Sequence, residues 1–306
     1  MRKSILIVSA LVTFAINTFA QDAPLTLATA KNMADSLKVG FWKRGTQFGI
    51  NFAQASFNDA WSGTQGGVGN IALGFTFNNR ADYFKGKGVL TTDIQAQYGV
   101  LKNKGQDGRK AVDRLFLDAK YARKISPKLN WFANVNFLSQ FAPGYKFDAT
   151  GKRGNKISNL FAPGFLSEGV GVEWKPQKYL VVQLGGATIR QTIVSDDVVF
   201  RNTANKDGVS YGVPAGQNIL NEVGFQAVAA FDKDIAKNLN LKWRYQGFLA
   251  YAPKSKPIDH FITLIATAKV NKYLNVNFNL NGVLDKDQNE KFQLAQGLNV
   301  GFLFTL

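Results

Sequence analysis

From Phe292 to Leu306 the apolar residues Phe292, Leu294, Leu298, Val300, Phe302, Phe304 and Leu306 share one parity, while Gln293, Ala295, Gly297, Asn299, Gly301 and Thr305 take the other. Successive side chains of a strand point to opposite faces, so this stretch predicts a strand with one apolar wall and one small, polar wall. The alternation recurs along the chain. Phe48, Ile50 and Phe52 oppose Gln47, Gly49 and Asn51, and Ile71, Leu73, Phe75 and Phe77 oppose Asn70, Gly74, Thr76 and Asn78. In the third run Ile94, Tyr98 and Val100 alternate with Asp93, Gln95 and Gln97; in the fourth Leu115, Leu117 and Tyr121 alternate with Arg114, Phe116, Asp118 and Lys120. Trp131 to Phe137, Val170 to Trp174, Leu180 to Leu184, Val223 to Phe231 and Leu239 to Tyr251 follow. His260 to Ala268 leaves its facing open, and Val276, Phe278 and Leu280 oppose a row of Asn275, Asn277, Asn279 and Asn281. Twelve such runs predict an all-β fold, a transmembrane antiparallel β-barrel with both ends on the periplasmic side.

The connections fall into two kinds. Ile125 to Leu129, Lys175 to Tyr179, Ile235 to Leu239 and Val270 to Leu274 read as tight periplasmic hairpins. The polar stretches at about 142–164 and 195–217 read as long extracellular loops, with medium loops elsewhere on that side. Tyr121, Trp131, Trp174, Tyr179, Trp243 and Tyr273 lie near the tight turns, where an aromatic girdle meets lipid headgroups.

The first residues place this pattern in a compartment. Arg2 and Lys3 precede an apolar run from Ile5 to Ile16 and the small-residue pattern Thr18-Phe19-Ala20, which reads as a signal peptide cleaved near Ala20. The division expected is a signal peptide at 1–20, a periplasmic N-terminal segment at 21–41, and a barrel at 42–306 in the outer membrane of a Gram-negative bacterium. The chain has no Cys, hence neither disulfides nor a lipid-attachment thiol. A formal net charge of +16 suggests an anionic neighbour, and export argues against nucleic acid. The basic loop residues Lys102, Lys104, Arg109, Lys110, Lys152, Arg153 and Lys156 are expected to meet lipopolysaccharide phosphates.

Several stretches resemble a group of Bacteroidetes outer-membrane barrels known only as a domain of unknown function, number three thousand and seventy-eight. They are Trp42-Lys43-Arg44-Gly45, Phe52 to Phe57, Tyr98-Gly99, Arg109-Lys110 with Asp113-Arg114, Gln140 to Tyr145, and Phe161 to Gly164. Asn58 to Gly67 departs from that pattern by extra residues, which bears on the first outer loop. The resemblance implies an outer-membrane location and supplies no activity or functional residues. Asn299, Gly301, Phe304 and Leu306 also resemble the terminal signal read by the barrel-assembly machinery.

Candidate chemistry is sparse. Asp93, Arg114, Asp118, Lys120, Glu173, Lys242 and Arg244 fall on the polar parity and are expected to face the lumen. The near copies Phe141-Ala-Pro143-Gly144-Tyr145 and Phe161-Ala-Pro163-Gly164-Phe165 bracket one long loop; Pro and Gly favour tight turns, and the pair is read as a latch folding that loop over the mouth. The single His, His260, is the one imidazole a catalytic mechanism could use. Asp196-Asp197 and Asp285 with Asp287 read as solvated loop acids rather than metal ligands. No cofactor or metal is expected, and no enzyme. The favoured reading is a narrow channel or transporter for small, including anionic, solutes. A closed barrel serving as a structural or binding module is the alternative, and a lipid-modifying enzyme centred on His260 is third. The oligomeric state is left open.

Overall fold

The computed structural model describes residues 40–56, 69–253, 256–271, 274–286 and 291–305. Its wall is built from β1 (Phe41–Ala55), β2 (Asn70–Lys85), β3 (Gly88–Asn103), β4 (Arg109–Ser126) and β5 (Leu129–Ser139). The chain then leaves for the short strands β6 (Gly144–Phe147) and β7 (Arg153–Ser158), and returns as β8 (Gly164–Gln177) and β9 (Leu180–Ile193). A second excursion holds helix α1 (Asp197–Thr203), β10 (Val209–Ser210) and β11 (Val213–Pro214). The wall resumes with β12 (Ile219–Ala236), β13 (Leu239–Ala252), β14 (Asp259–Lys269), β15 (Leu274–Leu284) and β16 (Gln293–Thr305).

Every wall strand pairs antiparallel with its neighbours, in the order β1-β16-β15-β14-β13-β12-β9-β8-β5-β4-β3-β2. The order closes on itself, because β1 also pairs with β16 from Gln47 opposite Thr305 to Ile50 opposite Phe302. A sheet closed in this way has no unpaired edge. The alternation of the sequence is the alternation of its two surfaces. Ile50, Phe75, Ile94, Leu117, Val135, Val172, Leu249, Ile262 and Leu298 lie exposed on the outside, whereas Asp93, Glu173, Gln183, Asp232, Arg244 and Asn275 are buried inside. His260 shares the outward parity of Ile262, and its side chain meets the outward Tyr245.

Short turns mark one end. Besides the four hairpins foreseen from sequence, Gly86–Lys87 joins β2 to β3 just as tightly, with Gly86 at φ 57°. Aromatic rings cluster at this end. Trp42 meets Tyr83 at 5.1 Å, Tyr121 meets Trp131 at 5.3 Å, and Tyr179, Phe231 and Trp243 follow one another at 5.4 and 5.8 Å. Tyr273 lies outside the described residues.

One irregularity resets the pattern. Between β8 and β9 the register slips at Val170/Gly171, so Leu184 and Ile189 both face outward although their numbers differ in parity. A bulge of this kind adds one unpaired residue to a strand. Gly171 permits it: a Cβ there would stand 2.1 Å from the Leu184 carbonyl oxygen, which no side chain can do.

Candidate functional site

The inner face of the barrel carries ionic groups in three groupings along its length. Nearest the short turns, Glu173 is 0% exposed, and its carboxylate accepts from Lys120 Nζ at 2.6 Å, Lys175 Nζ at 2.7 Å, Asn130 Nδ2 at 3.0 Å and Gln183 Nε2 at 2.7 Å. A buried carboxylate needs such a complete set, because each unmet lone pair forfeits hydration. Lys120 sits on β4 and Glu173 on β8, so the pair spans the intervening β5. Lys242 pairs with Asp232 at 3.3 Å.

The middle grouping runs around one wall. Arg80 grips Asp82 through two bonds of 3.2 Å, Thr91 Oγ1 donates to Asp82 at 2.7 Å, Gln95 Nε2 donates to Asp93 at 2.9 Å, and Arg114 donates to Gln95 at 3.0 Å. Arg244, on β13 five places away around the ring, donates to Gln246 at 2.9 Å and lies within electrostatic range of Asp118. At the loop end, Arg190 binds Glu222 with two nitrogens at 2.9 and 2.7 Å and Asp259 at 2.8 Å, while Lys256 reaches Glu222 at 2.8 Å. The Arg190 guanidinium lies 4.1 Å above the Phe248 ring.

The seven lumen residues expected from sequence therefore all sit on the inner wall. Sequence reasoning missed Arg80, Asp82, Lys175 and Asp232, and with them the whole loop-end grouping of Arg190, Glu222, Lys256 and Asp259. Arg190 follows the bulge in β9, where the parity slip hides it; the strand is readable from sequence only to Leu184.

Above the barrel, the two long excursions pack on each other. Ala162, Val194, Val199 and Val213 form a small buried core, flanked by Phe200, Tyr211 and Leu220. Asp196 is its polar hub. Its carboxylate caps α1 by accepting from the Val198 and Val199 amides at 3.0 Å, and accepts from Lys156 Nζ at 2.6 Å and Asn159 Nδ2 at 2.8 Å. Burial disfavours its charge, but these bonds outweigh that and hold the carboxyl down at about 2. Asn202 Nδ2 donates to the Lys156 carbonyl and Tyr211 Oη to that of Ile157, both at 2.8 Å. Burial pushes the Tyr211 phenol up to about 12.

The two Pro-Gly copies frame the β6–β7 hairpin, yet they are not equivalent. In the first, the Phe141 and Ala142 amides both donate to Asp113 at 2.8 Å, and Lys110 Nζ bonds Asp113 and the Ala142 carbonyl. In the second, Phe161 takes φ 55°; its amide donates to Ser139 Oγ at 3.0 Å and its ring meets Phe137 at 5.2 Å. Phe137 and Ser139 have the outward parity of Val135, so Phe161 lies on the outer wall, whereas Phe165 is buried and faces inward. The second copy thus wraps the rim of the wall, with one aromatic on each side.

The basic loop residues are largely engaged by the loops themselves. Lys110 and Lys156 are tied as above, Arg109 stacks on Phe147 and Arg153 on Tyr145 at 4.8 Å, and Lys152 lies 3.8 Å from Asp107. Lys102 and Lys104 are exposed. His260 Nδ1 lies 2.8 Å from the Tyr245 hydroxyl. Of the terminal signal residues, Asn299, Gly301 and Phe304 pair within the sheet opposite Asn277, Asn275 and Phe48, and Leu306 lies outside the described residues. Among the described residues no group of three or more His, Cys, Asp or Glu could hold a metal ion, and no helix is long and apolar enough to cross a membrane.

Beneath the loops lies a cavity of about 130 Å³, bordered by Gln97, Arg114, Gln140 and Phe165 on one side and Asn281 on the other. Asn281 belongs to β15, six places around the ring from β5. One small cavity therefore touches opposite walls, so the bore is narrow at that level.

Residues 52–145 match the family model described as "Protein of unknown function (DUF3078)". The match is confined to this stretch. It runs from the last residues of β1 into β6, and it supplies Arg80, Asp82, Asp93, Gln95, Arg114 and Asp118, which leaves Arg244, with its acceptor Gln246, as the named member of the middle grouping from outside it. The DUF3078 segment also holds Asp113 and Lys110, which fasten the first Pro-Gly copy. No curated protein matches the sequence. Solved structures similar to the chain include an outer membrane channel from Pseudomonas putida F1, with 12% identity over 90% of this chain and 99% of that one and a TM-score of 0.41. The NanC porin has 7% identity over 85% and 98%, with a TM-score of 0.38. The translocator domain of the autotransporter NalP from Neisseria meningitidis has 10% identity over 87% and 88%, with a TM-score of 0.36. Likenesses at those scores carry no inference for the DUF3078 segment or the rest of the chain.

Proposed function

We propose that the protein is a twelve-stranded transmembrane barrel of the outer membrane, delivered by a signal peptide cleaved near Ala20. It serves as a narrow channel for small solutes, including anions. The cavity spanning the bore carries this reading: a small space of about 130 Å³ between facing walls, with Arg114, Gln97, Gln140 and Asn281 at its edge beside apolar Leu138 and Phe165. A space of that size matches a solute of roughly benzene's dimensions. The apolar exterior and the ring of aromatics at the short-turn end support the membrane setting, since lipid leaves no unpaired backbone group satisfied except in a closed sheet or a helix. Exposed Lys102, Lys152 and Arg153 are loop cations open to lipopolysaccharide phosphates.

Single-channel recording of the purified protein in a planar bilayer tests the reading. Steady small conductance with anion preference supports it, and deleting residues 146–160 should raise that conductance by opening the mouth. A barrel silent in both forms overturns it. The second reading, a shut barrel acting as a structural or binding module, is favoured by the fully buried Glu173 carboxylate and its complete set of donors. Under that reading, charge changes at Arg114 and Asp118 alter stability and leave permeability untouched. The lipid-modifying reading needs a nucleophile beside His260, and the group the structure gives its Nδ1 is the Tyr245 hydroxyl.

A further inference from the structure

The two Pro-Gly copies sit where the barrel wall runs low. β5 has 11 residues, whereas β4 has 18. A strand rising about 3.3 Å per residue and tilted about 40° gains about 2.5 Å per residue along the membrane normal. From girdle residue Trp131 to Ser139, the last residue of β5, the wall therefore climbs about 20 Å, short of an apolar band about 25 Å tall. What stands above Ser139 on the outer side is the loop itself. Phe161 packs on Phe137 and hangs from Ser139 Oγ, and Ser139 Oγ in turn donates to the Pro163 carbonyl at 3.2 Å. Phe141 is fixed next door through Asp113, whose register partner Tyr98 faces outward.

Phe141, Leu160 and Phe161 remain 44%, 40% and 42% exposed, even though the Phe141 and Phe161 amides are fastened to Asp113 and Ser139. Two aromatics and a leucine held open to the surroundings, one of them at a left-handed backbone angle that disfavours any residue with a Cβ, gain nothing by facing water. Phe161 continues the outward column of Trp131, Val135 and Phe137 through its contact with Phe137, with Leu160 beside it in the chain and Phe141 two residues past Ser139. We propose that Phe141, Leu160 and Phe161 are a lipid-contact surface that completes the low wall and anchors the outer loops in the outer leaflet, its occupant being the lipid acyl chains just beneath the headgroups. This rests on the membrane reading above and deepens it: the copies act on the rim as an anchor, and any latching of the mouth follows from that attachment.

The chain has no cysteine, so single cysteines report without background. Nitroxide labels at Phe141→Cys, Leu160→Cys and Phe161→Cys are compared with Val135→Cys on the wall and Lys152→Cys on the exposed hairpin, in vesicles of outer-membrane lipid. Collision with oxygen is measured against collision with a polar nickel chelate. The oxygen-to-nickel ratio at 141, 160 and 161 should approach that at 135 and exceed that at 152 by about tenfold, because hydrocarbon excludes the polar reagent. Ratios like that at 152, with 135 still oxygen-favoured, overturn the anchor and leave the barrel reading intact. A water-like ratio at 135 itself overturns both. Agreement among three separately labelled positions guards against one variant that folds poorly.

Discussion

Glu173 and Asp196 are built from the same parts, a carboxylate gathering lysine and amide donors, yet they sit in opposite settings. Glu173 is sealed inside the barrel against Lys120, with Lys175 a third exposed at the edge of the cluster, so losing the carboxylate leaves the Lys120 charge with little access to water. Asp196 lies in the loops, its side chain 14% exposed, where water can replace what a mutation removes. The comparison teaches that the number of bonds around a carboxylate says little about its worth; the cost of leaving the remaining partners unmatched decides it.

The largest effect expected is from Glu173→Gln, which leaves Lys120 without its carboxylate inside the wall. It should lower stability by about 3–5 kcal/mol, read as a shift in urea unfolding of the vesicle-inserted protein followed by tryptophan emission. A loss below about 1 kcal/mol would mean that water reaches the cluster, and with it an open bore. Asp196→Ala removes a helix cap and the Lys156 contact and should cost about 1 kcal/mol locally, seen as faster amide exchange across 194–218 with the global transition unmoved.

The charge on Asp196 offers a finer reading. Its folded value of about 2 lies below the ordinary 3.8, so its contribution is present above the ordinary value and fades as pH falls through about 2. The carboxyl carbon resonance of Asp196 should titrate with a midpoint near 2, and Lys156→Met should raise that midpoint; an unmoved midpoint would remove Lys156 from the account. Smallest of all, Lys152→Ala breaks a 3.8 Å pair whose side chains are 64% and 40% exposed. Its effect on stability should fall within about 0.5 kcal/mol of zero.

Much of the barrel is legible in the sequence because a two-residue period is a local property: each strand announces which face meets which surroundings, without reference to its neighbours. The alternation at Ile71 to Phe77, or at Leu239 to Tyr251, is the outer wall as the structure has it. The inward Asp93, Arg114 and Glu173 were legible for the same reason. Legibility stops at the bulge, where Gly171 lets β9 slip by one and the parity of Arg190 reverses. It stops again in the loops, whose small core of Val194, Val199 and Val213 has no period to read.

By itself, then, the sequence determined the class of fold, the positions of four tight turns and the side on which charges such as Asp93, Arg114 and Glu173 lie. Only the tertiary structure decided which charges meet, such as Lys120 with Glu173 across a strand and Arg190 with Asp259. It also decided that Phe161 lies on the outer wall and Phe165 inside. The physical reason is range. Strand facing follows from backbone geometry within a few residues, whereas ion pairs and loop packing depend on closure, which brings together groups far apart in the chain.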